Sequence, residues 1–294
     1  MPPEVGLKAV RIISGVPRQG TSFLRESPAR FCVIVRDLGS PGSRFCFCLG
    51  GKIWGIMDAV IGMKLSKRLQ QVAELVPEGA VLADIGSDHA YLPVYLVEQG
   101  RIRQAVAGEL NQGPYESAQR TVREAGLSHL IEVRKGDGLA VLGAGEASAV
   151  AICGMGGGTI VDILSAGRDK LAGVQCLILQ PMTDSDRLRK WLHDNGWRIA
   201  AEELVVDEGI LYEIVQAEPG DERYKDSLWY EIGSVDLLKH HPLFPQKVSA
   251  AIKKIGRVLQ NLRKSQGGLA AQKREALLQK KKRLEEVLKS CKQR

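Results

Sequence analysis

The 294-residue sequence predicts an α/β fold, Rossmann-like, in which a doubly wound parallel sheet ends in an antiparallel hairpin and is followed by a basic helical region. Three observations carry this. Five apolar runs, "AVLADIG", "QAVAGEL", "LIEVRKGDG", "ASAVAICGMGG" and "VQCLILQP", alternate with helix-like segments, which is the rhythm of βαβ units. The runs "WRIAAEELVVDEG" and "ILYEIVQAE" are joined by a short acidic turn around Asp207 to Gly209, and strands joined so closely pair antiparallel. From about residue 218 the pattern changes: Val248, Ile252, Ile255, Leu259 and Leu262 step by four, three, four and three. Leu277, Leu284 and Val287 continue such a stripe after a break at Gly267-Gly268.

Residues 1–62 lack sustained periodicity and are rich in Gly, Pro, Ser and Arg, with one apolar cluster in "RFCFCLGGKIWGIMDAVIGM". They are expected to be a poorly ordered extension, either a native appendage or an upstream over-extension of a reading frame that starts at Met63. The segment "MKLSKRLQQVAEL" then opens a helix with Leu65, Leu69, Val72 and Val76 on one face and Lys67 and Arg68 off it. After the fifth strand, "SDRLRKWLHDNG" reads as a helix stopped by Gly196. The expected domains are therefore 1–62, a sheet domain over 63–217, and a helical domain over 218–294 whose two helices fold back as a short antiparallel coiled coil.

Composition narrows the class. A chain with 44% hydrophobic residues buries one large core and has length left for a second, smaller unit. No apolar run reaches the ~18 residues that suggest a membrane span, and the N-terminus lacks the order of a secretory signal, so a soluble cytoplasmic protein is expected. None of the six cysteines belongs to a paired C-x-x-C set and the five histidines form no cluster, so no metal is expected and the thiols read as free. Charge is segregated. Residues 247–294 hold 15 Lys and Arg against 3 Asp and Glu, a net of +12, residues 1–62 carry +4, and residues 63–246 carry −9.

The stretch "ADIGSDHAYLP" is the strand-to-helix turn that would meet a ligand. Gly86 lets the main chain approach closely, and free N–H groups follow it. The next strand ends in Glu109, 23 residues after Gly86, near the ~20 expected of an acid that accepts from ribose hydroxyls. The third ends in "KGDGLA", where Asp137 is placed to accept from an adenine amine. Three acids thus converge on one sheet edge. A dinucleotide would prefer Gly at Asp88 and His89, because an Asp at that helix start repels pyrophosphate. S-adenosylmethionine, with no phosphate and a positive sulfur, suits the loop better, and the terminal antiparallel hairpin agrees.

The strings "LSKRL", "ADIGSDHAYLP", "GEL", "GDGL", "GMGGGTI", "LQPM", "LRKWLHDNGW" and "LYEIV", in this order, closely resemble the bacterial TrmK-type tRNA (adenine-N1)-methyltransferases. The resemblance covers about residues 63–294 and implies a class I methyltransferase sheet and transfer of a methyl group from S-adenosylmethionine to adenine 22 of tRNA. Family members often carry Asn after "QP"; here the residue is Met182, which puts in doubt any substrate role for that side chain.

Transfer from a sulfonium is an in-line displacement, so the protein chiefly aligns the reacting atoms and strips water from them. Adenine N1 offers an in-plane lone pair and needs no proton removed. Enzymes that attack N6 commonly use an N/D-P-P-Y/F loop after strand four, and that place here is "CGMGG", which fits a ring nitrogen. Cofactor contacts are expected from Asp84, Gly86, Ser87, Glu109, Leu110, Asp137, Gly138 and Gly154, with strand-end capping as the plain alternative for the acids. Asp88 and His89 are placed to hold the methionine end or meet the base, although Asp88 is equally a helix N-cap type. Met155 and the glycines around it would floor the site beside the transferred methyl group, with a tight packing turn as the plain alternative; Asp88, His89 and Met155 are the catalytic candidates. Tyr91 is a stacking surface for a splayed adenine or a packing residue. Arg68 is a phosphate or base contact or a solvated helix cation, and Gln180 and Pro181 line the base pocket. Cys153 reads as a buried strand thiol. The basic tail would neutralise tRNA phosphates on a body that otherwise repels RNA. Rival readings are a methyltransferase of another RNA or a small molecule, a noncatalytic RNA-binding module that keeps the fold, and, more weakly, a nicotinamide dehydrogenase.

Overall fold

The computed structural model describes residues 32–36, 43–49, 52–58, 63–262 and 268–292. The chain divides into two units, Met1–Gly62 and Met63–Arg294. In the first, β1 (Cys32–Arg36), β2 (Ser43–Leu49) and β3 (Lys52–Asp58) form an antiparallel sheet in the order β1-β2-β3. The expectation of poor order for residues 1–62 otherwise falls outside the described residues.

The second unit holds the predicted alternation. Helix α1 (Lys67–Leu75) starts on Ser66, whose hydroxyl accepts from the Leu69 N–H at 3.3 Å, and buries Val72 and Val76 completely. Then follow β4 (Val81–Ile85), α2 (Tyr91–Glu98), β5 (Gln104–Glu109), α3 (Gln112–Glu124), β6 (Ile131–Lys135), β7 (Ala149–Met155), α4 (Gly157–Ala166), β8 (Cys176–Pro181), α5 (Ser185–Asp194), β9 (Trp197–Asp207) and β10 (Ile210–Pro219). The sheet order is β6-β5-β4-β7-β8-β10-β9. Strands β4 to β8 pair in parallel, and β10 runs antiparallel to both β8 and β9. The chain winds outward from β4 through β5 to β6, then crosses back to β7 on the other side of β4. The crevice at the carboxyl ends of β4 and β7 is therefore the switch point where such sheets take ligands.

Alternation along each strand feeds two cores. Leu82 and Ile178 pack with α1, α2 and α3, whereas Ala83, Leu177 and Leu179 pack with α4 and α5. All six residues of β8 are buried, as expected of a strand covered on both faces. The hairpin turn is Glu208-Gly209, with φ of +49° and +79°; positive φ at both central residues is the twist-matched type I′ geometry. Gly196, φ +78°, closes α5 as read from the sequence.

The remainder is helical: α6 (Leu228–Ile232), α7 (Val235–Leu238), α8 (Phe244–Leu262) and α9 (Gly268–Lys292). Val248, Ile255 and Leu284 are buried together with Ile252, Leu259, Leu277 and Val287 packed against them, so the stripe read from the sequence is the contact between α8 and α9. The five residues that link these helices are too few to let α9 run alongside α8 in the same direction, so it returns antiparallel. Leu204 of β9 and Leu211 of β10 join that core. The break expected at Gly267 lies outside the described residues. Among the described residues no helix is long and apolar enough to cross a membrane.

Candidate functional site

The loop after β4 is built by its backbone. Gly86 has φ +71°, and its N–H donates to the Gly108 carbonyl at 2.9 Å, as does that of Ser87 at 3.3 Å. Asp88 and Ala90 also sit at φ +56°, an uncommon conformation for residues with a Cβ and one that costs energy to hold. Ala90 rather than Asp88 occupies the N-cap of α2, and no side chain caps that helix. The Asp88 carboxylate is exposed instead, with one oxygen 3.7 Å from His89 Nε2. His89 stacks on Tyr91, rings 5.0 Å apart and 11° from parallel, and Tyr91 is 42% exposed. Tyr91 is thus a surface at the rim and not a sheet-packing residue.

Two acids behind this loop are held in an unfavourable state. Asp84 is 4% exposed, and burial pushes its carboxyl up to about 6; the Ser87 hydroxyl, which donates to it at 2.5 Å, opposes the rise, and the nearby Glu109 adds to it. Glu109 is also raised, first by burial, although the Asp88 N–H donates to it. Buried carboxylates with raised pKa cluster at functional sites, which makes this edge a candidate for a cationic ligand. Asp137 begins the short 3₁₀ turn Gly138–Val141, exposed beyond the end of β6, and Leu110 is 55% exposed beyond the end of β5. Both lie on the same edge as Asp84 and Glu109. Among the described residues no three His, Cys, Asp or Glu side chains gather as a metal would require.

On the other side of the crevice Gln180 is fully buried at the end of β8. Its Oε1 accepts from Arg68 Nη1 at 2.6 Å and from the Gly154 N–H at 3.1 Å. The Arg68 guanidinium lies over the Tyr212 ring, 5.6 Å from its centroid, and the Arg68 backbone N–H donates to Asp207 at 3.1 Å. Arg68 is therefore a fixed fork and not a solvated helix cation. Pro181, buried beside Gln180, pairs with Met155 across the strands, and Met182 is 48% exposed next to it. Tyr212 and Asp207 were not singled out in the sequence; they reach Arg68 because the antiparallel hairpin carries β10 beside β8, a placement that the string "LYEIV" alone does not give.

The glycine-rich stretch after β7 does two different things. Gly154, φ +75°, lets the chain turn, and Met155 sends its methyl group onto Gly86, where a Cβ would lie 2.1 Å from Met155 Cε. Met155 thus packs its methyl group against the backbone of Gly86. Gly157 instead serves packing: a Cβ there would stand 2.4 Å from the Asp184 carbonyl oxygen and 2.7 Å from that of Thr183. Gly157→Ala is expected to lower stability by about 1–3 kcal/mol, because backbone and not a flexible side chain must move. A thermal unfolding scan in which this variant melts with the wild type would disprove the close packing. Cys153, a free thiol, is pushed up by burial and by the Asp84 charge, so it is a poor nucleophile.

The family description "TrmK: tRNA (adenine(22)-N(1))-methyltransferase" matches residues 82–290. The tRNA (adenine(22)-N(1))-methyltransferase of Bacillus subtilis (strain 168) is 51% identical over 159 residues, which are 54% of this chain and 67% of that protein. The crystal structure of the B. subtilis m1A22 tRNA methyltransferase TrmK superposes with a TM-score of 0.72 at 39% identity, over 77% of this chain and 99% of that one. A Streptococcus pneumoniae protein solved in complex with S-adenosyl-L-methionine superposes with a TM-score of 0.69 at 40% identity, over 76% and 100% of the two chains. With the switch-point crevice and its buried acids in the same stretch that the family description covers, the chain belongs to the TrmK family of tRNA (adenine(22)-N(1))-methyltransferases.

Proposed function

We propose that this protein transfers the methyl group of S-adenosylmethionine to N1 of the adenine at position 22 of tRNA. The observation that carries the reading is the pair of buried, cation-deficient acids, Asp84 and Glu109, behind a loop opened by Gly86, in a chain of this family. S-adenosylmethionine supplies an electrophilic methyl group on a positive sulfur. The residues fit it: Asp84 and the exposed Asp88 offer negative charge to its amino group and sulfur, and Glu109 offers an acceptor to ribose hydroxyls. Leu110 would cover one face of its adenine, with Asp137 and Gly138 at the exocyclic amine and Ser87 and Gly154 closing the loops around it.

On the loop after β4, the outer face of the stacked His89–Tyr91 pair offers a surface to a base taken out of its stack, and across the crevice Arg68, held by Gln180 and Tyr212, presents its remaining donors to substrate. Gln180 and Pro181 shape the wall, and Met155 sets the line of attack by filling the floor at Gly86. N1 attacks with its own lone pair, so no base is needed, and the acids stabilise charge and orientation only.

The domain partition proposed is 63–217 for cofactor and chemistry and 218–294 for tRNA, with α8 and α9 as a short coiled coil; a tRNA substrate places the work in the cytoplasm. Lys253, Lys254, Lys273 and Lys282 are exposed on these two helices. Their joint replacement by Gln is expected to weaken tRNA binding at physiological salt and to flatten the salt dependence by up to about 0.9 in log–log slope per lysine that meets a phosphate. Filter binding across a salt series measures both, and an unchanged slope would clear the tail of any role in docking.

The reaction itself is tested by incubating the full chain with S-adenosylmethionine and unmodified tRNA transcripts, then locating 1-methyladenosine by nuclease digestion and mass spectrometry. Product at position 22 that vanishes when that adenine is replaced is the expected result; modification elsewhere, or at N6, contradicts it.

A further inference from the structure

A buried charge cluster stands behind the hairpin, away from the crevice. Arg189 of α5, 1% exposed, donates through Nε to Glu202 of β9 and through Nη2 to Glu213 of β10, each at 2.6 Å, and through Nη1 to the Tyr230 carbonyl at 3.0 Å. Glu202 also accepts from the Ser234 N–H that opens α7, at 2.5 Å. Lys247, in the first turn of α8 and 7% exposed, places its Nζ 2.7 Å from the same Glu213 oxygen that Arg189 holds. That ammonium lies off the line of a good hydrogen bond and, among the described residues, finds no other acceptor. Burial pushes the Glu213 carboxyl up, but the Lys247 and Arg189 charges outweigh it and hold the group down at about 2.

Stability does not account for such a cluster. Desolvating a lysine costs several kcal/mol, its single ion pair offsets that poorly, and well-packed apolar side chains in place of a whole buried ion cluster are often as stable or more so. What a buried ion pair adds over an apolar contact is a specified geometry. Here the geometry joins two places that matter. Tyr212 and Glu213 are successive residues of one strand and point to opposite faces. Tyr212 lies under the Arg68 guanidinium, while Glu213 reaches α5 and α8.

We propose that Lys247 is a positioning residue for methyl transfer: its ion pair with Glu213 fixes α8 to the back of β10 and so sets Arg68 and Tyr212, on the front of that strand, against RNA held by the helices. The inference rests on the reading that α8 and α9 dock tRNA. A displacement of β10 by an ångström or less moves the Tyr212 ring under Arg68, and misplacement on that scale costs orders of magnitude in rate without touching the reacting atoms.

Lys247→Met in the full chain keeps the stem and removes the charge. Measured at saturating S-adenosylmethionine over a range of tRNA concentrations, kcat is expected to fall by at least about tenfold. The Kd for S-adenosylmethionine and the Kd for tRNA should stay within about threefold of the wild type, and Lys247→Arg, which keeps the ion pair, should recover most of the rate. An unchanged kcat overturns the proposal, whatever happens to the melting temperature. Loss of tRNA affinity with kcat intact overturns it too, since the lysine would then act in docking itself. If Lys247→Met does not fold, the charge-balanced pair Lys247→Met with Glu213→Gln decides: a folded protein with wild-type kcat refutes positioning, and one with reduced kcat and intact binding of both ligands supports it. Failure of the docking reading shows separately, in the four-lysine variant of α8 and α9, and takes the proposal with it.

Discussion

Asp84→Asn is expected to stabilise the protein in the absence of S-adenosylmethionine and to cost it most of its methyl transfer. The buried carboxyl has its midpoint at about 6 instead of 3.8, so at neutral pH the folded chain carries a charge that burial disfavours. Below pH ~4 the group is protonated in both states and contributes nothing adverse. As pH rises through the interval from about 4 to about 6, the unfolded chain releases this proton more readily than the folded one, and stability falls. Above that interval the full cost, up to about 3 kcal/mol, is present. Asn keeps an acceptor for the Ser87 hydroxyl and carries no charge, so the variant should regain much of that energy at pH 7.5 and little at pH 4. On the proposed assignment the same change removes a negative charge offered to the cofactor, for which a loss on the order of 100-fold in kcat/KM is expected. Urea midpoints at the two pH values, together with calorimetric binding of S-adenosylmethionine, test both halves. A variant that is no more stable than the wild type at pH 7.5 would show that the carboxylate is not strained.

Strand-end geometry explains which placements could be read from the sequence. Asp84, Glu109 and Asp137 were legible because each ends or follows an apolar run, and the ends of parallel strands meet on one edge whatever the details of packing. The turn at Glu208-Gly209 was legible because two strands so close in sequence have one way to pair. Arg189 was not: in "SDRLRKWLHDNG" it stands among charged neighbours and reads as solvated, and only the approach of Glu202 and Glu213 from a hairpin later in the chain makes it a buried cation. Tyr212 was hidden for the same reason, since its partner Arg68 lies more than a hundred residues earlier. The positive φ of Ala90 had no sequence signal, and that of Asp88 only the weak one that aspartate enters the left-handed region more readily than most residues with a Cβ. Gly157 shows a packing role. A glycine run beside a crevice suggests ligand approach, yet this glycine makes room for the carbonyls of Thr183 and Asp184.

Arg68→Ala is expected to lower kcat/KM for tRNA on the order of 100-fold while the Kd for S-adenosylmethionine stays within about twofold. The guanidinium uses Nη1 on Gln180 and lies over the Tyr212 ring, and the Arg68 backbone N–H donates to Asp207, so three separate strands, β8, β10 and the end of β9, hold one fork in place. Among the described residues its remaining donors take no side-chain partner, which leaves them free for the substrate contact proposed above. Gln180 would keep the Gly154 N–H in the variant, so the loop at the end of β7 and the cofactor edge should stay as they are. Lysine is the sharper substitution. It restores the charge but neither the planar fork nor the stacking face, so Arg68→Lys should recover less than about a tenth of the lost rate if recognition is geometric. Recovery close to the wild type would mean that Arg68 supplies charge alone to a phosphate, and a loss of S-adenosylmethionine affinity in either variant would mean that it braces the crevice instead. Methyl-transfer kinetics and calorimetry on the two variants separate these outcomes, because Gln180 joins Arg68 to the Gly154 loop that the proposal gives to the cofactor.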